Sequence, residues 1–356
     1  MILRQLHLSL ILTSADTAFT AIFATKLQKI MFTNKDIEYR TIFVINCIHE
    51  RSLRVSNGEL LLEEQIEDRE KTKTLTKLPF QKILALFVVG HIRITTPLIE
   101  KCQKFGVALV VMKPSLRPVF FWANSAEANF LLHQQQYSLK KDDISIAKVL
   151  VENKIVNQKK ALLDTRRKDE LTNLSLSKLD ECLNELPDTV DYNVLMGIEG
   201  TAAKSFFQSF YQDYDWHQRR PRTKCDALNA SLDIGYTMLF NYIECFLRMF
   251  GFDLYVGVYH RMWFKRKSLV CDIMEPFRPI IDKTIRTAWN RKQFSDKDFV
   301  ISKGEYRLKF EKNADYCKVF FDALIPYKAE VFKYVQNYYR CFMGRKSITQ
   351  YPVFNI

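Results

Sequence analysis

The sequence predicts an α+β protein, with a small, mainly β domain followed by a larger all-α domain. Three observations carry this prediction. Before Trp122 the apolar residues come in short β-branched and aromatic runs separated by turn signals. After Trp122 they recur at steps of three and four along extended segments. Glycine is scarce, at 10 of 356 residues, which argues against a chain made mostly of tight turns, while 47% hydrophobic residues suffice for a sizeable core.

The elements follow in order. RTIFVINC reads as a first strand. RSLRVSNGELLLEEQ places Asn57-Gly58 between apolar flanks, a strong signal for a two-residue hairpin. KILALFVVG is an unbroken apolar run that suits a buried strand, although period alone does not separate it from an apolar helix. TTPLIEKCQKFG reads as a short helix, with Pro97 near its start and Gly106 at its end. VALVVMKPSLRPVFFWA supplies two further strands around a proline-containing turn, so the β domain spans 31–123. NSAEANFLLHQQQYSL opens the helical series. ISIAKVLVENKIVNQKKALLDTRRKD has apolar residues at helical spacing and a polar opposite face. LSKLDECLNEL is another helix. CDALNASLDIGYTMLFNYIECFLRMFG is the clearest, with Leu228, Leu232, Gly235, Leu239, Tyr242, Phe246 and Phe250 on one stripe and Gly251 as its stop. The helical domain spans 124–345, with a tail at 346–356. Residues 1–30 resemble a secretory signal in texture, but Met31 opens MFTNKDIEYRTIFVINC, a more natural beginning for a folded domain. They are expected to be an extension, or a mis-assigned start, whose removal leaves folding and activity intact.

A net charge of +13 favours polyanionic partners such as nucleic acid. No run reaches the roughly 18 apolar residues that span a bilayer, so no membrane role is expected. The eight cysteines form no C-x-x-C pair, which speaks against a zinc ribbon, and they sit singly in apolar segments. They read as reduced core residues of a cytoplasmic protein.

Four stretches in the helical part carry chemistry. In VLMGIEGTAAKSFFQSFYQ, Glu199 lies between Gly197 and Gly200, either against a close neighbour or ligand or on a solvated face of a tightly packed helix. In YQDYDWHQRRPRTKCDALN, Arg219, Arg220, Arg222 and Lys224 follow three aromatic residues, a mixture that suits nucleic acid and equally a solvated loop. GVYHRMWFKRKSL sets His260 ahead of Lys265, Arg266 and Lys267; a lone histidine there is more often a satisfied core residue. In CDIMEPFRPIID, Asp272 and Glu275 have the spacing of a helix capping pair, and equally that of two carboxylates aimed at one point from one helix face. Pro276 should break a helix there, and Pro279 suits a first turn. Together the acids and the histidine fit a hard divalent cation, Mg²⁺ or Mn²⁺, with basic residues holding phosphate.

GIEG, the basic segment leading into NASLDIGYTMLF, and GVYHRMWFKRKSLVCDIMEPFRP resemble the ordered motifs of the CRISPR-associated integrase of the spacer-acquisition module. The resemblance covers about 195–290 motif by motif, and the β-then-helical order extends it to roughly 40–345. It implies that the helical domain is catalytic, that Glu199, His260 and Glu275 bind the metal, and that Asp272 lies near it. Arg278 and the basic run at 265–267 become candidates for phosphate contact. It further implies a homodimer joined through the β domain, a small companion subunit, and DNA as substrate, both a captured fragment and the CRISPR repeat. A general metal-dependent nuclease acting on branched DNA, and an inert DNA-binding scaffold, are the alternatives. Two stretches depart from the family pattern and leave the ligand positions intact: RRPRTKCDALNAS, where a double proline is common, and Arg261-Met262-Trp263, where a small residue commonly follows the histidine.

Overall fold

The computed structural model describes residues 32–47, 51–65, 72–123, 129–140, 142–166 and 168–356. The reading of residues 1–30 lies outside them, as does the stretch 124–128 at which the helical domain is expected to open.

A capping box between Thr33 and Asp36 starts α1 (Asn34–Tyr39), which leads into β1 (Thr41–Cys47). β2 (Arg51–Ser56) and β3 (Glu59–Gln65) pair antiparallel with Ser56 opposite Glu59. Asn57 and Gly58 both have positive φ, 49° and 80°, the primed turn that Asn-Gly favours. β4 (Thr72–Pro79) completes this three-stranded sheet. The second sheet has four strands. β5 (Ile83–Gly90) runs parallel to β1 on one side and to β6 (Ala108–Met112) on the other, and β7 (Pro118–Trp122) lies antiparallel beside β6. α2 (Thr96–Phe105) crosses between β5 and β6 and ends on Gly106.

Every residue of β5 is buried, because both faces of its sheet are covered. Phe87 and Val89 enter the core of the helical part, where the Phe87 ring lies 4.6 Å from that of Phe321. Leu86 and Val88 face a second core with Leu53, Leu60, Leu98 and Cys102. The missing alternation in KILALFVVG is the mark of a strand buried on both sides, and the β sheet is built directly onto the helices.

The helices are α3 (Phe130–Tyr137), α4 (Ser145–Leu163), α5 (Glu170–Glu185), α6 (Tyr192–Phe210), α7 (Ala227–Met249), α8 (Ser268–Met274), α9 (Arg278–Asn290), α10 (Asn313–Leu324) and α11 (Lys328–Met343). Asp169, Asp191 and Asp226 start α5, α6 and α7, each accepting a first-turn N–H on its carboxylate. α7 is the spine, with Leu232, Leu239, Tyr242 and Phe246 all buried. Gly235 brings α9 and α10 against it: a Cβ there would stand 2.5 Å from Ile281 and 2.6 Å from Phe320.

Two features go beyond the sequence reading. A hairpin of β8 (Phe299–Ser302) and β9 (Glu305–Leu308) interrupts the helical series, turning on Lys303-Gly304. The polar residues of α4 are only partly solvated: Glu152 and Lys160 are exposed, but Asn153, Lys154, Asn157 and Gln158 are buried. Asn153 exchanges two hydrogen bonds with the backbone of Phe354, at 2.7 and 2.8 Å. Asn157 donates to the carbonyls of Phe354 and Pro276, both at 2.9 Å. The stretch read as a tail therefore lies on α4, with the Phe354 ring 4.4 Å from that of Phe277. All eight cysteines are free thiols, six of them buried. Among the described residues no helix is long and apolar enough to cross a membrane.

Candidate active site

Asp272 organises the loop that carries His260. Its carboxylate, fully buried on α8, receives three successive backbone N–H groups. Val258 and Tyr259 donate to Oδ2 at 2.6 and 3.0 Å, and His260 donates to Oδ1 at 2.8 Å. The imidazole Nδ1 adds a fourth contact, 2.7 Å from Oδ1. A carboxylate only accepts, so Nδ1 carries a proton, and in the neutral ring the lone pair is left on Nε2. Gly257 makes the wrap possible: a Cβ at this position would stand 2.5 Å from Asp272 Oδ2. The capping alternative for Asp272-x-x-Glu275 falls away, since Asp272 lies inside α8 and Lys267 holds the N-cap position.

Glu275 has a different task. Pro276 and Pro279 divide one helical path into α8, a single 3₁₀ turn at Glu275–Phe277, and α9. The hydrogen bond from Asn157 to the Pro276 carbonyl ties this turn to α4. The Glu275 side chain is 3% exposed, and its Oε2 lies 2.7 Å from Lys154 Nζ and 3.0 Å from Arg278 Nε. The same Lys154 ammonium is bound by Glu199 from α6. Burial works to raise the Glu275 carboxyl, but Arg278, Lys154 and His260 overcome it and hold the group at about 2. Burial likewise works against the Lys154 ammonium, and Glu199 and Glu275 raise it above its ordinary value. The spacing that promised two carboxylates at one point thus yields two separate duties, Asp272 turned to the histidine loop and Glu275 to a shared cation.

These groups line one cavity of about 980 Å³ that includes Lys154, Glu199, His260 and Glu275. Gly197 and Gly200 have open space where a Cβ would stand, so tight helix packing does not explain them, and Glu199 faces the cavity. Six expected phosphate contacts line it too: Arg219, Arg222, Lys224, Arg266, Lys267 and Arg278. Three of these are committed to acids. Arg219 binds Asp233 at 2.6 Å, Lys267 binds the buried Glu244 at 2.6 and 2.7 Å, and Arg278 binds Glu275. A buried carboxylate without a counter-charge is strongly destabilising, so these cations serve the fold first. The side chains of Arg222, Lys224 and Arg266 form no ion pair with a carboxylate among the described residues, although the Arg222 N–H donates to Asp233 at 3.0 Å, and Arg266 Nε is buried without a hydrogen bond. Arg220 and Lys265 are exposed and stand outside the cavity lining.

The donor set suits a hard divalent cation: two carboxylates already share one positive charge, and the same cavity presents an imidazole nitrogen. In this arrangement Lys154 takes the place between the glutamates. Among the described residues no three histidine, cysteine, aspartate or glutamate groups stand close enough to hold a metal by themselves. Lys154 is the residue that sequence reasoning missed. Its only signal was a lysine in the stripe Asn153, Lys154, Asn157 and Gln158, a pattern shared with any solvated helix face.

Residues 48–321 match the family model for "CRISPR associated protein Cas1". A CRISPR-associated endonuclease Cas1 of Thermodesulfovibrio yellowstonii is 27% identical over 241 residues, covering 65% of this chain and 76% of that protein. Among solved structures, a casposase bound to integration product superposes with a TM-score of 0.70 at 19% identity, covering 89% of this chain and 96% of that one. A Cas6-RT-Cas1–Cas2 complex gives 0.72 at 20% identity, covering 89% of this chain and 36% of that chain. The two superpositions establish the β-then-helical fold. With most of its length under one family model, this chain belongs to the CRISPR-associated Cas1 family.

Proposed function

We propose that this protein is a metal-dependent DNA integrase and nuclease of CRISPR adaptation, in which the 3′-hydroxyl of a short captured fragment attacks a phosphodiester at the edge of a CRISPR repeat. The observation that carries this reading is the convergence of Glu199 and Glu275, from separate elements, on one cationic atom in a cavity that His260 also lines. The relatives named as endonucleases and the casposase bound to integration product support it.

Glu199, His260 and Glu275 would hold Mg²⁺ or Mn²⁺. When bound, such an ion supplies Lewis-acid polarisation of the phosphoryl group and stabilises the charge that develops on oxygen. The remaining work falls to side chains. Asp272 keeps the proton on His260 Nδ1, so Nε2 is available as a ligand. Arg222, Lys224 and Arg266 hold the phosphodiester. Arg278 and Lys154 offset the charge of Glu275. The new P–O bond forms as the repeat's own P–O bond breaks, and the proton lost by the attacking hydroxyl ends on the leaving oxygen or on water. One phosphodiester replaces another, so the step needs no nucleotide cofactor. A second copy of the chain and a small companion subunit complete the reading, the latter supported by the fold shared with a Cas1–Cas2 complex.

The test is strand transfer of a labelled short duplex into a plasmid carrying a CRISPR array, with Mg²⁺ or Mn²⁺ and the companion subunit. Joined product is expected from wild type and not from His260→Ala. Cutting without joining would favour the general nuclease, and DNA binding with no metal-dependent product from either protein would favour the scaffold.

A further inference from the structure

The segment between His260 and Arg266 is spent on neither the fold nor the proposed chemistry. Both of its ends line the cavity and both are anchored. His260 is fixed by Asp272, while the Arg261 carbonyl accepts from Ser268 Oγ at 3.2 Å and the Arg261 guanidinium lies 4.2 Å over the Tyr192 ring. Arg266 closes a turn by donating its N–H to the Trp263 carbonyl at 3.0 Å, with Lys265 in the left-handed region at φ 59°. A lysine held there is backbone strain kept in place by its surroundings. The turn projects three large apolar side chains into solvent: Met262, Trp263 and Phe264 are 63%, 77% and 82% exposed. Arg261 and Lys265 flank them, both exposed, with the Lys265 ammonium 5.1 Å over the Phe264 ring.

We propose that Trp263 and Phe264 form a stacking platform for unpaired DNA bases at the mouth of the cavity, with Arg261 and Lys265 on the adjoining phosphates. Aromatic rings interleaved with cations on an exposed, anchored turn fit single-stranded nucleic acid, because rings meet base faces of any sequence while cations track the backbone. The positive flanks commit the surface to a polyanion rather than to an apolar protein groove. The inference deepens the proposed function, since it rests on DNA being handled at this cavity. Strands would be held unpaired beside the reacting phosphodiester.

The test uses the full chain and two short oligonucleotides of equal length, one with bases and one abasic, compared by fluorescence anisotropy. Wild type should bind the base-bearing strand more tightly, by roughly 5- to 150-fold for each base stacked. Trp263→Ala/Phe264→Ala should lose that preference while keeping wild-type affinity for the abasic strand, and Trp263→Phe should retain most of it. His260→Ala should keep the preference, so a failure of the chemistry assigned to the cavity and a failure of the platform read out separately. Equal binding of both strands by wild type would overturn the proposal. Parallel loss of both strands in the double variant would also overturn it. So would an unchanged preference accompanied by lost association with a protein partner.

Discussion

Replacing Asp272 with asparagine tests the architecture of the site most directly. The carboxylate accepts four contacts, two on each oxygen, from the N–H groups of Val258, Tyr259 and His260 and from the imidazole. An amide of the same shape has one acceptor end. With its oxygen toward Val258 and Tyr259, its NH₂ group confronts the His260 N–H and forces the ring to accept at Nδ1, which moves the ring proton to Nε2. With its oxygen toward His260, the NH₂ group confronts two backbone donors instead. Either way two contacts to a buried charge are lost, at about 1.5–3 kcal/mol each. Asp272→Asn should therefore cost roughly 3–6 kcal/mol, a large part of the 5–15 kcal/mol typical of a domain. Urea unfolding reads that loss. Titration with Mn²⁺ should show affinity down by about 10- to 100-fold, the usual cost of losing a ligand's orienting partner. Nitrogen-15 NMR of the imidazole should show which nitrogen carries the proton. An unchanged urea midpoint together with unchanged Mn²⁺ affinity would refute the assigned role.

The other predictions follow from the same contacts. Lys154→Met removes the cation between Glu199 and Glu275, so the metal-free protein should lose about 3–5 kcal/mol, while Mn²⁺ raises its melting temperature more than that of wild type. Equal stabilisation of both proteins by Mn²⁺ would show that the lysine does not share the ion's place. Gly257→Ala drives a methyl group against Asp272 Oδ2 and should reproduce part of the Asp272→Asn defect in Mn²⁺ titration; wild-type affinity would mean that the loop has room to move. Asp282 is fully buried, and burial pushes its carboxyl up to about 7 despite a 2.6 Å hydrogen bond from Tyr236. A raised acid contributes stability that is complete below its unfolded value and fades as pH rises through about 7, to an upper bound near 4 kcal/mol. Asp282→Asn should thus gain on wild type between about pH 4 and 7 in urea unfolding and hold a constant difference above that, and a flat difference across the window would show that Asp282 does not titrate there.

The strands and the strongest helices were legible because each is decided locally. Asn57-Gly58 sets a turn whatever surrounds it, and the stripe on α7 matches a single helix face. KILALFVVG was ambiguous for a physical reason: a strand covered on both sides loses its alternation, and only the sheet order shows that β5 is such a strand. The hairpin at Lys303-Gly304 had a turn glycine but strands of only four residues, too short for a period to emerge. α4 shows the limit most clearly. Its polar residues pair with partners far along the chain, Asn153 with Phe354 and Lys154 with Glu199, and no local pattern separates such a face from a solvated one.

The same limit governs the charges. Arg219, Lys267 and Arg278 look alike in sequence to Arg222, Lys224 and Arg266, yet the first three neutralise acids and the second three do not. Which cations remain for a phosphate depends on where Asp233, Glu244 and Glu275 end up, and that is a property of helix packing. The division between Asp272 and Glu275 has a similar origin. On one continuous helix their spacing would send both carboxylates to the same place. The break at Pro276 and the loop closed over Gly257 give each its own partner, so one acid fixes the proton on His260 while the other stays charged at the cation it shares with Glu199. A single ungapped helix carrying the same residues would supply two equivalent acids and leave the histidine without a fixed tautomer. The prolines and the glycine are therefore as much part of this site as the residues that carry its charge.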